Sequence, residues 1–341
     1  MLLLKKAAGH KQVVRMLRNT VSQGRVAHAY LFAGPEGVGK ETVALSFARA
    51  LLCSSSADGD ACGVCRSCRQ VRSGNHPDFY ALGPDGASIK IEQIRDIQRK
   101  VPYRSYQGGR KIFLIRQAET MTGQASNCLL KTLEEPPPDT VFILITARPQ
   151  LLPPTILSRC QQVFFKNIPL PELVEGLVRL HGMAEEDALL PAALSGGSMG
   201  KALAYTSGSY QEKRQAVYKL LQALSEAGPC EALEMAEKAA ESRESAYFTL
   251  EILSCWYRDL MVYRETGEAG LLFNHDHTAL IKSESERFET PALLEIIESI
   301  ESAKGKAETN INTRLILEAL FLKLAGFAYN YKKLPGTLNY T

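Results

Sequence analysis

Gly34-Pro35-Glu36-Gly37-Val38-Gly39-Lys40 constrains this chain more than any other stretch, because it fits G-x-x-x-x-G-K and has the right neighbours. Before it, Ala29-Tyr30-Leu31-Phe32-Ala33 is short, apolar and stopped by Gly34 and Pro35, which predicts a buried strand. After it, Thr42 to Leu52 has the Ala- and Leu-rich composition of a packed helix. The glycines of such a loop turn consecutive backbone N–H groups towards an anion, and the helix N-terminus adds its dipole. Gly34, Gly37, Gly39 and Lys40 are therefore the candidate nucleotide-binding residues, with Lys40 reaching the outer phosphates.

The same region departs from a working nucleotidase. A Ser or Thr hydroxyl should follow the loop lysine to hold Mg²⁺, and this chain has Glu41. An acidic pair should end a second buried strand, but Lys111 to Ile115 runs into Arg116-Gln117. Arginine does not ligate a cation, and glutamine has no basicity with which to take a proton. General-base catalysis supplies ~10²–10⁴-fold, so its loss together with two metal ligands predicts no useful hydrolysis. Any ATP binding that survives through the loop is expected to be weak and to lack Mg²⁺.

Further strand signals at Lys111 to Ile115 and Thr140 to Thr146, separated by a helical stretch from Gln124 to Leu133, predict an α/β layer with a parallel sheet. Val13, Leu17 and Val21 predict an amphipathic first helix. After Pro169 the remaining apolar residues have helical spacing. Leu173, Leu177 and Leu180 should share a face; Thr290 should cap a helix with Pro291 in its first turn and a stripe of Leu293, Leu294, Ile297 and Ile300. A last helix, from about Asn312 to Phe327, carries Leu315, Leu317, Leu320, Phe321 and Leu324.

Charge separates the halves. The 341 residues hold 40 Lys and Arg against 37 Asp and Glu, a net of +3. Residues 1–166 hold 23 basic and 12 acidic side chains, a net of +11, and residues 167–341 hold 17 and 25, a net of −8. A basic front half suits polyanions and an acidic back half does not. The 45% apolar content excludes a disordered or collagen-like chain, and no stretch approaches the ~20 apolar residues of a membrane span. The opening Met1 to Leu4, followed by Lys5 and Lys6, inverts a secretory signal, so a cytoplasmic location is expected.

In that compartment thiols stay reduced, and clustered cysteines suggest metal before disulfides. Cys53, Cys62, Cys65 and Cys68 supply four thiolates over a short excursion, a number suited to tetrahedral Zn²⁺ with no open position, hence structural. Cys128, Cys160, Cys230 and Cys255 are isolated and expected to be packed. His275 and His277 flank Asp276 and read as a solvated loop.

These residues carry a family resemblance. His28 to Phe32, the glycine loop, the four-cysteine insertion, the run Asn127-Cys128-Leu129-Leu130-Lys131-Thr132-Leu133-Glu134-Glu135-Pro136-Pro137, and Thr155 to Gln161 with Ser158-Arg159-Cys160 resemble the bacterial clamp-loader AAA+ subunits of DNA polymerase III. The resemblance implies a RecA-like AAA+ core over 1–166 with a zinc module at 53–68. It further implies a helical lid over 167–207, an all-α collar for oligomerisation over 208–330 and a tail over 331–341. Asn274, Asp276 and the run Asn310 to Leu324 resemble that collar.

Motor subunits of the family keep a Ser or Thr after the loop lysine and an Asp-Glu pair after the strand. This chain departs at all three positions and so resembles the branch that completes the ring without hydrolysing ATP itself. The resemblance implies that Arg159 acts in trans as an arginine finger, that Thr146 falls at the sensor-1 position and that Lys201 falls near sensor 2. It implies as partners the gamma/tau ATPase subunits and the delta subunit and, through the complex, the sliding clamp and primed DNA. Two other readings stand beside it: an ATP-hydrolysing motor subunit whose Mg²⁺ site is rebuilt around Glu41, and a zinc-dependent DNA-binding module. Glu41, Arg116 and Gln117 weigh against the first, and the lack of aromatics among the basic residues around the cysteines weighs against the second.

Overall fold

A computed structural model of the chain describes residues 3–107, 109–224, 226–308 and 312–332. The chain divides into two compact units, the first formed by residues 1–183 with 195–201 and the second by 184–194 with 202–341.

The first unit is built on five parallel strands: β1 (Ala29–Ala33), β2 (Phe79–Leu82), β3 (Lys111–Ile115), β4 (Thr140–Thr146) and β5 (Gln161–Phe164). Their order across the sheet is β2-β3-β4-β1-β5, so β4 lies between β1 and β3. Every residue of β1, β3 and β4 is buried, as continuous apolar runs require of strands covered on both faces.

Alternation sorts their side chains into two cores. Tyr30, Phe32, Ile112, Leu114 and Ile143 pack on one face with Leu17, Val43 and Phe47 from helices Lys11–Ser22 and Lys40–Leu52. Leu31, Phe113, Ile115, Phe142 and Leu144 pack on the other with Ile94, Ile97, Leu129 and Leu133 from helices Ile91–Lys100 and Gly123–Glu134. The register sets Ala33 beside Thr146 and Ile115 beside Leu144, so β1, β3 and β4 deliver their following residues to one edge of the sheet. That edge is where an open α/β sheet binds ligands.

No sequence signal marks β2, whose residues run from buried Phe79 to exposed Ala81. It is an edge strand, covered less completely than the centre, so it lacks a continuous apolar run.

The second unit is built of helices and their connections, with no strand among its described residues, and has a single apolar cluster drawn from helices Gly208–Leu224, Pro229–Ala239, Arg243–Thr266, Thr290–Glu308 and Thr313–Lys332, among others. Within these helices the expected stripes are shifted. Leu293, Ile296 and Ile300 are fully buried, whereas Leu294 is exposed, and Leu315 is likewise exposed beside buried Leu317, Leu320 and Phe321. Thr290 lies inside its helix rather than capping it, because the carbonyl of Glu289 accepts the first backbone bonds, from Ala292 and Leu293. The Thr290 hydroxyl donates instead to Glu265. In the first unit, Leu173 and Leu177 are buried but Leu180 faces solvent near the end of its helix. Residues 309–311 and 333–341 lie outside the described residues, including Asn310 of the expected collar run and most of the expected tail.

Candidate nucleotide loop and metal centre

The glycine loop leaves β1 at Gly34, whose N–H donates to the carbonyl of Thr146, and it ends at Gly39, the residue preceding helix Lys40–Leu52. The structure thus brings Gly34, Gly37, Gly39, Lys40 and Thr146 together at the sheet edge. Lys40 is buried, and its ammonium donates to the carbonyls of Gly34 at 2.6 Å and Pro35 at 2.5 Å. Burial lowers its pKa from the ordinary lysine value, against the opposing pull of Glu119 and Glu36.

The loop is braced from three sides. His10 Nε2 lies 2.9 Å from the carbonyl of Val38, the Ser198 hydroxyl donates to the carbonyl of Glu36 at 3.1 Å, and the Gly200 N–H donates to the carbonyl of Gly37 at 2.9 Å. Gly37 has φ +73, and a Cβ there would lie 2.2 Å from the Ser198 oxygen, so only glycine fits.

The residues that replace the metal ligands lie together. Arg116 follows β3, Glu41 opens the helix after the loop, and Arg116 Nε is 3.4 Å from Glu41 Oε1. A guanidinium and its counter-charge thus stand where a nucleotidase would gather a hydroxyl and a carboxylate around Mg²⁺. Thr146 is buried, with its hydroxyl accepting from the Arg148 N–H, so it is satisfied locally. Lys201 is exposed, and its backbone N–H donates to the Ser198 hydroxyl.

Sequence reasoning missed Glu119. One of its oxygens accepts from the Ala147 N–H, the other is buried without a hydrogen-bond partner among the described residues, and its charge bears on Lys40. Its place, two residues past Gln117, was the only available signal.

Arg159 sits after the short helix Pro154–Leu157. Its guanidinium pairs with Glu134 at 2.7 Å and donates to the Thr155 carbonyl at 3.0 Å, with about a third of the side chain exposed.

The four cysteines converge. Their sulfurs all lie within 4.8 Å of one another, with Cys53 and Cys65 at 3.9 Å and Cys62 and Cys68 at 4.0 Å. Tetrahedral zinc with bonds of about 2.3 Å needs sulfurs ~3.8 Å apart, so the set fits the ion. The N–H groups of Cys62, Cys65 and Cys68 donate to the sulfurs of Cys53, Cys62 and Cys65 in turn. Burial pushes the Cys68 thiol up to about 12; Cys65 is also raised by burial, but donors from Cys68 and Ser54 outweigh this and bring it to about 6. Four thiolates this close repel one another, and a divalent metal supplies the positive charge that lets them ionise together.

The module is locked to the chain's start: Asp60 accepts from the N–H groups of Leu4 and Lys5, and a Cβ on Gly59 would lie 1.9 Å from the Arg18 carbonyl.

His275 to His277 are not the expected solvated loop. Asp276 takes a bidentate pair of bonds, 2.9 and 2.7 Å, from Arg214, which is itself buried and also bonded to Asn274 and Tyr218. Asn274 in turn donates to Asp259, and both are fully buried. The segment is an internal brace of the helical unit because partners about 60 residues away satisfy it.

A parallel sheet with β4 between β1 and β3, a glycine loop after β1 and a separate helical unit define a P-loop protein of the AAA+ class. Residues 9–169 match the family described as DNA polymerase III, delta subunit, and residues 209–326 match its C-terminal counterpart. DNA polymerase III subunit delta' of Bacillus subtilis is 31% identical, covering 92% of this chain and 95% of that protein. The Pseudomonas aeruginosa protein of the same name is 35% identical over 88% of this chain and 92% of its own length. The tau subunit of Escherichia coli is 38% identical, but over 62% of this chain and 34% of that one. The chain belongs to the DNA polymerase III subunit delta' family of bacterial clamp-loader proteins. No described helix is long and apolar enough to cross a membrane.

Proposed function

We propose that this chain is the non-hydrolysing delta' member of a clamp loader, presenting Arg159 to the ATP site of a neighbouring gamma/tau-type subunit. In that reading it assembles with those ATPases and with a delta subunit, and through the complex helps place the sliding clamp on primed DNA. The observation that carries it is the Glu41–Arg116 ion pair, which replaces metal ligands with a self-neutralised pair at the chain's own loop. With no use for hydrolysis at home, Arg159 has its role in trans.

The chemistry suits the residue. On docking, the guanidinium exchanges one anion, the half-exposed Glu134 carboxylate, for another, the phosphoryl oxygens of the neighbour's nucleotide. The relinquished pair is of a kind worth ~0.2–1 kcal/mol, whereas a guanidinium at the transferring phosphoryl group is worth ~10³–10⁵ in rate. The second unit supplies the collar through which subunits join. Cys53, Cys62, Cys65 and Cys68 hold a structural zinc that fixes helix Arg66–Arg72 and takes no part in transfer. The loop binds nucleotide weakly if at all, since Lys40 is already spent on the carbonyls of Gly34 and Pro35.

The test is the ATPase of the purified chain with Mg²⁺ and primed DNA. No turnover is expected. Turnover that Lys40→Ala abolishes contradicts the reading.

A further inference from the structure

We propose that the outer face of helix Arg66–Arg72, together with the loop Tyr103–Gln107, is a binding surface for single-stranded nucleic acid. Arg66, Arg69 and Arg72 recur at a spacing of three and are all exposed, while Cys68 and Val71 turn inwards. None of the three is in an ion pair among the described residues, and the same holds for exposed Arg104. Neither stretch, 61–77 or 97–115, contains an Asp or Glu.

The acid beside them, Asp78, is buried and committed, its oxygens accepting from the N–H groups of Tyr106 at 2.7 Å and Gln107 at 3.0 Å. That bond pair holds the loop, and Gln107 ties it to the helix through Ser67 and Gln70, each at 2.9 Å.

On this anchored loop Tyr103 is 72% exposed and Tyr106 80% exposed. Two aromatic rings held out in water beside unpaired arginines form a stacking platform flanked by phosphate-binding charge. A duplex keeps its bases stacked on each other and offers the rings nothing, so the complementary ligand is a single strand. The sequence lacks aromatics around the cysteines, and the fold supplies them from a loop some 40 residues on. The proposal uses the cysteine cluster only as the mount of the helix and does not depend on Arg159.

The experiment is fluorescence anisotropy of the full chain with a labelled oligothymidine of about 20 nucleotides over a range of NaCl. The triple variant Arg66→Ala, Arg69→Ala, Arg72→Ala should bind more weakly and lower the log–log salt slope by about 2, at ~0.7 for each phosphate no longer neutralised. Tyr103→Ala with Tyr106→Ala should weaken binding about tenfold or more without changing the slope, and the Phe pair should restore it. Unchanged metal content and circular dichroism keep the variants comparable. Lack of binding by the parent at low salt, variants that bind like the parent, or a preference for duplex of equal length overturns the proposal. Variants that keep oligonucleotide affinity but lose assembly with partner subunits also overturn it, because the face is then a protein-docking surface.

Discussion

Glu41 and Arg116, 75 residues apart in sequence, meet as an ion pair at 3.4 Å beside the glycine loop. Each departs from the pattern of a metal-dependent nucleotidase, and each supplies the charge that the other needs. The pair sets a cationic side chain with its own counter-ion where a metal and its ligands would be.

Both side chains are about half exposed, so breaking the pair should cost little: Arg116→Ala should lower stability by less than about 1 kcal/mol in urea unfolding. Glu41→Thr combined with Arg116→Asp should raise affinity for ATP in a Mg²⁺-dependent way, measured by calorimetry with and without the metal. Turnover should stay absent, because Gln117 still offers no base. Equal ATP affinity with and without Mg²⁺ in the double variant contradicts this account of the loop.

Zinc should be present at one per chain. Cys68→Ser should lose it and loosen helix Arg66–Arg72, since Cys68 is buried and Cys65 caps that helix. Metal analysis and hydrogen exchange across 53–72 check both points. A stoichiometric metal content in the Cys68→Ser protein is the contrary result.

His10 sets an acid limit on the loop. Burial holds its imidazole below the usual 6.5, against the bond to the Val38 carbonyl and the pull of Glu172. The unfolded chain therefore takes the proton first, and the stabilisation is present above pH 6.5 and lost as pH falls through the lower folded value. His76 and His277 are lowered in the same direction, also by burial. Thermal unfolding between pH 8 and 5 should be less steeply pH-dependent in His10→Gln than in the parent. Parallel curves rule out His10 as a contributor.

The central strands were legible because full burial on both faces leaves an unbroken apolar run, as in β1, β3 and β4. The cysteine cluster was legible because its ligands are close in sequence. Edge strand β2 was not, and neither were the helical stripes in detail: Leu294 and Leu315 satisfy an apolar pattern yet face solvent, one position out of register with Leu293 and Ile316. Least legible were pairings between distant residues. Glu134 meets Arg159, Gln107 of the loop that carries Tyr103 and Tyr106 bonds to Ser67 and Gln70 of helix Arg66–Arg72, and Arg214 reaches Asn274 and Asp276 only once the chain is folded.

Arg214→Met tests that last network. It removes one of the two donors to the Asn274 oxygen, the Tyr218 hydroxyl remaining, and leaves Asp276 without its Arg214 counter-ion; with Arg214 buried and Asp276 half exposed, the loss should be about 3 kcal/mol. Denaturant unfolding of the helical unit checks this, and a loss below about 1 kcal/mol shows that the network is not a brace. The Asp276 carboxyl is raised by burial, but Arg214 outweighs this and holds it below the ordinary 3.8. Its contribution is therefore full above that value and disappears only as pH falls through the folded pKa.

In the function proposed above, Arg159 acts on a neighbour's nucleotide. The direct measurement is the DNA- and clamp-stimulated ATPase of the complex assembled with gamma/tau-type and delta subunits, comparing the parent chain with Arg159→Ala and Arg159→Lys. Arg159→Ala should assemble normally and retain its zinc, but lower the complex's turnover and clamp loading about tenfold or more. Arg159→Lys should rescue poorly, because an ammonium lacks the planar fork that meets two oxygens. Full turnover and loading with Arg159→Ala would contradict the account.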